Sequence, residues 1–380
     1  MARFLVFGLH MAEARADHIL IPIHDFSLGG TERIAFRLAG EWVRRGRKVT
    51  VLAGAADGPM LAQLPHGVMV ELLEQPVPRS TFSRLRLGPA MTAAAQRLKP
   101  DAIFLIGNFH FAVARALRKA LPAAPIVGKV SNPLVPAQMG TGPVARRLAS
   151  WWSGAVDKLV AMSPGLQEEL ALLVPHARAC AVPDPFLDDG ITITPREGTP
   201  GTPLKLLFVG RLEPQKDPQL ALATAASLHK RGVAFKLTMI GGGAMEQAVR
   251  RSAKRLGLTD SVDLLGHVDN PAPYFRAADM LLMSSRYEGV PAVIGEALAA
   301  GMPFVSTPCT AWLAGMVTRH PSVGTVVPRH DAELLAAAII ARQAAPFPSA
   351  ADIEQAIAGH RLSAGADAYL ALFDELVAAR

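Results

Sequence analysis

Cysteine is nearly absent from this 380-residue chain. Two residues, Cys180 and Cys309, give neither a disulfide framework nor zinc-ligand spacing, which fits a reducing compartment. No run reaches the roughly 18 uncharged apolar residues that span a membrane as a helix. Aromatics are scarce, at 6%. No short repeat or low-complexity tract is present, and half of the residues are apolar, which argues against disorder. No Asp-x-Asp stands beside a binding motif, and no His/Cys cluster points to a bound metal. The opening MARFLVFGLHMAEARA has too short an apolar run for a signal peptide, and MAEARADHILIPIHD reads as the better start, at Met11.

Short apolar runs alternate with helical patterns: HILIPIHD, KVTVLAG, DAIFLIG, APIVGKV and KLVAMS, then LKLLFVG, FKLTMIG, VDLLG, MLLMSS, PFVST and GTVVP. Such alternation predicts parallel sheets with helices on both faces. A Pro-, Gly-, Asp- and Thr-rich stretch over 183–203 separates the two series. The expected fold class is α/β, with two Rossmann-like domains facing across a cleft. The expected boundaries are 1–185, 186–362 and a last helix at 363–380, in which Tyr369, Leu372, Phe373, Leu376 and Val377 form one stripe. The net charge of +7 is uneven. Residues 1–195 carry 21 Lys or Arg against 15 Asp or Glu, and the remainder 18 against 17. A basic half points to an anionic partner or simply to a solvated basic surface.

The segment SSRYEGVPAVIGEALAAGMPFVSTP (284–308) is the most informative. Glu288 and Glu296 flank a Gly-Val-Pro turn, and Pro291 can open a helix that Gly301 ends. Free N–H groups at such a helix start attract anions. A carboxylate on each side suits a ligand with hydroxyls at both ends and phosphate in the middle, the layout of a nucleotide-sugar. Arg211 and Lys216 follow a strand, where an open α/β sheet binds ligands. Two fixed cations there can stabilise a leaving diphosphate without metal, although Glu213 and Asp217 could pair with them. Gly29 and Gly30 turn between the first strand and helix, with Thr31 as the expected N-cap. His110 lies beyond a strand between two Phe residues, either packed or facing the cleft. His24 has no role that we can name. The glycines at 241–243 do not fit a dinucleotide fingerprint cleanly.

These motifs closely resemble those of retaining GT-B glycosyltransferases of family 4. The 284–308 segment resembles the donor signature of two Glu separated by seven residues. FVGRLEPQKDPQLALATAASL resembles the diphosphate strand–loop–helix, and MIGGGAMEQAVRR the turn beside the nucleobase. LVAMSPGLQEEL and VPDPF match the inter-domain region, with Asp184 where Asn is commoner. The resemblance implies that Glu288 contacts the donor sugar and Glu296 the ribose. It further implies that Gly289 and Val290 N–H groups face the sugar and β-phosphate, that Gly241 lines the nucleotide site, that His110 faces the sugar, and that the last helix crosses back. It implies a cytoplasmic enzyme moving a sugar from a nucleoside diphosphate, UDP favoured and GDP second, to a lipid-linked or saccharide acceptor in envelope or exopolysaccharide synthesis. No cofactor or metal is expected, and no nucleic acid. A basic helix with Arg79, Arg84, Arg86, Arg97, Lys99, Phe82, Leu85 and Leu87 could touch an anionic membrane, or its apolar residues could lie in the core. Trp151 and Trp152 could also mark such contact. The rival readings are a non-catalytic nucleotide-sugar-binding partner of an assembly complex and another sugar-nucleotide enzyme, such as an epimerase or a phosphorylase.

Overall fold

The computed structural model describes residues 15–80, 82–136, 139–175 and 178–380; the start at Met11 lies outside them. Two sheets form, both wholly parallel. The first contains β1 (His18–Ile23), β2 (Lys48–Ala53), β3 (Met69–Leu72), β4 (Ala102–Leu105), β5 (Ile126–Val130), β6 (Lys158–Ala161) and β7 (Ala179–Ala181). They lie in the order β3-β2-β1-β4-β5-β6-β7. The second contains β8 (Leu204–Val209), β9 (Phe235–Ile240), β10 (Val262–Gly266), β11 (Met280–Met283), β12 (Phe304–Ser306) and β13 (Gly324–Val326). Their order is β10-β9-β8-β11-β12-β13. Helices cover both faces, so central strands such as β1 and β4 are buried along their whole length, as an unbroken apolar run requires. The eleven apolar runs of the sequence are all strands. β3 and β7 had no such signal: β3 is a largely exposed edge and β7 has three residues.

Two helix starts differ from expectation. The helix Gly30–Arg44 begins before Thr31, with extended Gly29 as its cap and no side-chain cap bond. Pro291 precedes the helix Ala292–Ala299 rather than opening it, because its backbone is extended.

The final helix, Leu362–Ala378, seals onto the first sheet. Trp42 stands edge-on to Phe104 and Phe373, at 5.4 and 5.3 Å between ring centroids, and donates through its indole N–H to the Ala366 carbonyl at 3.2 Å. Burying such rings is what fixes the helix there. The outgoing and returning chains bond to each other, Leu187 N–H to His360 O at 3.0 Å and Leu362 N–H to Leu187 O at 2.8 Å. Phe186 stacks on His360, which accepts the Trp312 indole N–H at 3.1 Å. Asp184 forms a buried ion pair with Lys129 of β5, which gives the unusual carboxylate before Pro185 its partner.

Candidate nucleotide-sugar site

Each sheet reverses its winding once, between β1 and β4 in the first and between β8 and β11 in the second. Connections leaving adjacent strands diverge at such a point and open a crevice at the strands' C-terminal ends. Gly29, Gly30 and His110 follow β1 and β4. Arg211, Lys216 and Glu288 follow β8 and β11, and Gly241 follows β9.

After β8 the chain turns tightly: Glu213 N–H bonds to Arg211 O at 2.9 Å and Lys216 N–H to Glu213 O at 3.0 Å. Asp217 then takes a left-handed conformation, φ 44°, and its carboxylate accepts Leu220 N–H at 3.2 Å, starting the helix Pro218–Lys230. The loop after β11 is fastened to this turn. Ser284 Oγ donates to the Lys216 and Asp217 carbonyls at 2.9 and 2.8 Å, and Gln215 Nε2 donates to Tyr287 O at 3.1 Å. These bonds place Lys216 Nζ 2.6 Å from Glu288 Oε1, with both side chains largely buried. Arg211 meets Glu213 at 2.7 Å and is well exposed. Asp217 pairs with Arg286, at 2.6 Å, and not with Lys216, because its own capping bond turns it away. Sequence reasoning missed Ser284 and Arg286; their place in SSRYEG, just before Glu288, was the available signal. Gly241, at φ 134°, lies against the Gly210 carbonyl with no room for a Cβ.

The two halves meet at Gly289. A side chain there would collide with Met162 Cε and come within 2.8 Å of the Ser131 carbonyl oxygen. Below it lies a cavity of about 270 Å³, lined by Ser131, Asn132 and Leu166 on one side and Glu288, Cys309 and Thr310 on the other. Cys309 is buried, and burial, with the Glu288 charge, pushes its thiol up to about 11. Glu296 has no side-chain hydrogen bond or ion pair among the described residues. Its surroundings raise its carboxyl above the usual range, against the pull of Arg33 and Arg37 on the facing helix.

His110 sits on a 3-10 turn, Asn108–Val113. Its Nδ1 is buried without a partner, and burial first, then the Arg79, His24 and Arg84 charges, lowers its pKa to about 4. It is therefore a neutral imidazole at ordinary pH. His24 is packed, with Nε2 2.9 Å from Val77 O. Gly29 lies under the Glu32 carboxylate and Gly30 faces open space. The structure thus brings Lys216 and Glu288 into contact and keeps Arg211 on the same loop. No described hydrogen bond or ion pair joins Gly29, Gly30 or His110 to them. Among the described residues no group of three His, Cys, Asp or Glu could hold a metal ion.

Two family models match the chain: Glycosyltransferase Family 4 over residues 28–185, and Glycosyl transferases group 1 over residues 203–342. A D-inositol 3-phosphate glycosyltransferase of Pseudarthrobacter chlorophenolicus is 32% identical over 201 residues, covering 50% of this chain and 43% of that protein. The amylovoran biosynthesis glycosyltransferase AmsK of Erwinia amylovora is 30% identical over 146 residues, covering 36% of this chain and 35% of that one. The chain spans about a third of the length of several of the curated relatives that it matches. A solved structure of Anabaena HepE with UDP and glucose superposes with a TM-score of 0.74 at 18% identity, covering 94% of this chain and 99% of that one. At that identity the likeness is one of fold.

Proposed function

We infer that this chain, which belongs to the family 4 glycosyltransferases (glycosyl transferases group 1), moves a sugar from a nucleoside diphosphate to an acceptor hydroxyl with retention of configuration. The carrying observation is the Lys216–Glu288 pair, held at 2.6 Å on the two chains that diverge at the β8/β11 switch point. Phosphate satisfies a cation and sugar hydroxyls satisfy a carboxylate, so a nucleotide-sugar can replace each group's resting partner with its own. Arg211 on the same loop is the second cation for the diphosphate. Glu296, with no hydrogen bond or ion pair among the described residues, takes the ribose hydroxyls. Gly289 and Val290 offer their N–H groups, Gly241 lets the nucleotide-side loop pass close to the Gly210 carbonyl, and Gly29 and Gly30 form the turn on the facing lip, where Gly30 faces open space.

The C-terminal half holds the donor and the N-terminal half the acceptor. The acceptor oxygen attacks the anomeric carbon on the face from which the diphosphate leaves. The bond to the phosphate oxygen breaks, and that oxygen takes the acceptor's proton. The cations stabilise the charge that develops on the leaving group, while neutral His110 faces the sugar. UDP is the favoured nucleotide, with GDP second, in keeping with the UDP in the HepE structure. Exopolysaccharide or envelope synthesis on a lipid-linked acceptor, at the inner face of the membrane, fits the amylovoran relative. A thermal-shift screen of nucleotide-sugars, followed by transfer assays and the product's anomeric coupling by NMR, tests the reading. Stabilisation by one donor is expected. No stabilisation by any donor overturns it, and binding without transfer to any acceptor favours a non-catalytic binding partner.

A further inference from the structure

One face of the N-terminal half has no part in the donor chemistry. Residues 82–153 contain ten Lys or Arg and a single acid, Asp101, whose carboxylate is engaged by the His18 N–H at 2.8 Å. Lys129 is buried with Asp184, and Arg97 and Arg118 pair with Glu71 and Asp157, which leaves seven exposed cations: Arg84, Arg86, Lys99, Arg115, Lys119, Arg146 and Arg147. In the same stretch Phe82, Leu85, Phe109, Val144, Leu148 and Trp151 stand exposed, Leu85 by 73% and Val144 by 72%. They lie on or beside the helix Ser83–Leu98, the 3-10 turn Asn108–Val113 and the helix Pro143–Ser153. The turn packs against both helices, so these elements are neighbours. Arginines tie the aromatic members in: the Arg84 guanidinium lies 4.9 Å from the Phe109 ring centre, and that of Arg115 lies 4.6 Å from the Trp151 ring. Arg86, Lys119 and Arg147 have no described ion pair.

We propose that this face docks on an anionic lipid bilayer. Charge of one sign supplies the attraction to anionic headgroups, and aromatic and aliphatic side chains around the arginines enter the headgroup boundary. A polyanion in water would use the arginines but not Leu85 or Val144. The face differs from the one that the sequence pointed to. Arg79 pairs with buried Asp25, Arg97 meets Glu71 at 2.5 Å and Leu87 is in the core, so all three drop out. Val144, Leu148 and Arg147 join Trp151, which the sequence had also marked. Phe109 immediately precedes His110, so the docked face borders the acceptor side of the cleft. That last step, a lipid-linked acceptor met at the membrane plane, rests on the glycosyltransferase reading; docking itself does not.

Co-sedimentation of the full chain with phosphatidylcholine vesicles, with and without phosphatidylglycerol, decides the matter without any donor present. Binding to the anionic vesicles alone is expected, weakening as salt rises. Arg86→Glu with Arg147→Glu, and separately Leu85→Glu with Trp151→Glu, should each weaken it at least tenfold while circular dichroism stays unchanged. Arg86→Gln with Arg147→Gln serves if the charge reversal fails to fold. Lys230→Glu with Arg276→Glu, on the other half, should leave binding intact. Equal binding to both vesicle types, no binding to either, or equal loss in the Lys230/Arg276 control overturns the proposal.

Discussion

On the C-terminal lip of the cleft, Arg211, Lys216 and Arg286 each meet a carboxylate within a few residues or one strand crossing: Glu213, Glu288 and Asp217. On the N-terminal side, Arg84, Arg86 and Arg147 have no ion pair among the described residues, and residues 82–153 hold one acid, Asp101. The two arrangements suit ligands of different size. A small polyanion needs cations already aimed, and neighbouring carboxylates hold them until phosphate takes over. A bilayer needs many cations of modest individual worth and no competing acid.

The largest effect that can separate the two halves is in stability. Phe373→Ala removes a fully buried ring that meets Trp42 and Phe104. It should cost about 3–5 kcal/mol. Because the last helix belongs to the first sheet's core, hydrogen-exchange protection should fall in β1 and β4 while β8 and β9 keep theirs. Equal loss in both sheets would show that the halves unfold as one unit.

Next comes the donor side itself. Glu288→Gln is nearly isosteric but removes the charge that Lys216 faces. Charge-assisted bonds are worth roughly 1.5–3 kcal/mol, so transfer should drop by about one to two decades in protein that still folds. Wild-type rates would take Glu288 out of the site.

The C-terminal lip of the cleft was far more legible in the sequence than the N-terminal lip, for a physical reason. Glu288, the 289–291 turn and Glu296 lie in one segment, so local chain geometry alone sets their spacing. Lys216 is distant in sequence, yet its loop follows a strand and precedes a capped helix, both readable patterns. The groups on the N-terminal lip come from separate segments, 24–33, 79–84, 108–110 and 129–132, which only the tertiary fold brings together. Likewise the Lys129–Asp184 pair was visible only as an odd Asp, and Arg97 and Leu87 looked like Arg86 and Leu85 until burial and pairing divided them. Thr31 failed as a cap because Gly29 already supplies the extended residue.

An acid limb sharpens the picture of the N-terminal lip. Folded His110 titrates near 4, against about 6.5 in the unfolded chain. Between those values the unfolded chain binds the extra proton, so stability is fully present above about pH 6.5 and is lost as pH falls towards 4. His18, His24 and His360, all lowered by burial, act in the same direction. Denaturant melts at pH 7 and 4.5 should differ by about 2 kcal/mol from His110 alone, and His110→Gln should flatten that part of the slope. An unchanged slope would mean that the ring is solvated when the cleft is open.

The smallest effect distinguishes the two donor-side cations. Lys216 is mostly buried and held at 2.6 Å from Glu288, whereas the Arg211 side chain is 63% exposed beside Glu213. Exposed charges are screened by solvent and worth little individually. Lys216→Ala should therefore weaken nucleoside diphosphate binding about tenfold, one charge-assisted bond's worth, and Arg211→Ala by less. Titration calorimetry with UDP and GDP reads both. If the two cations do the work that a metal would otherwise do, EDTA should leave transfer intact in the unmodified chain. Complete loss with EDTA, restored by magnesium or manganese, would assign the leaving group to a metal. Equal losses for Lys216→Ala and Arg211→Ala would instead show that donor binding draws Arg211 out of solvent and away from Glu213, so that the resting pairing of the loop does not rank its cations.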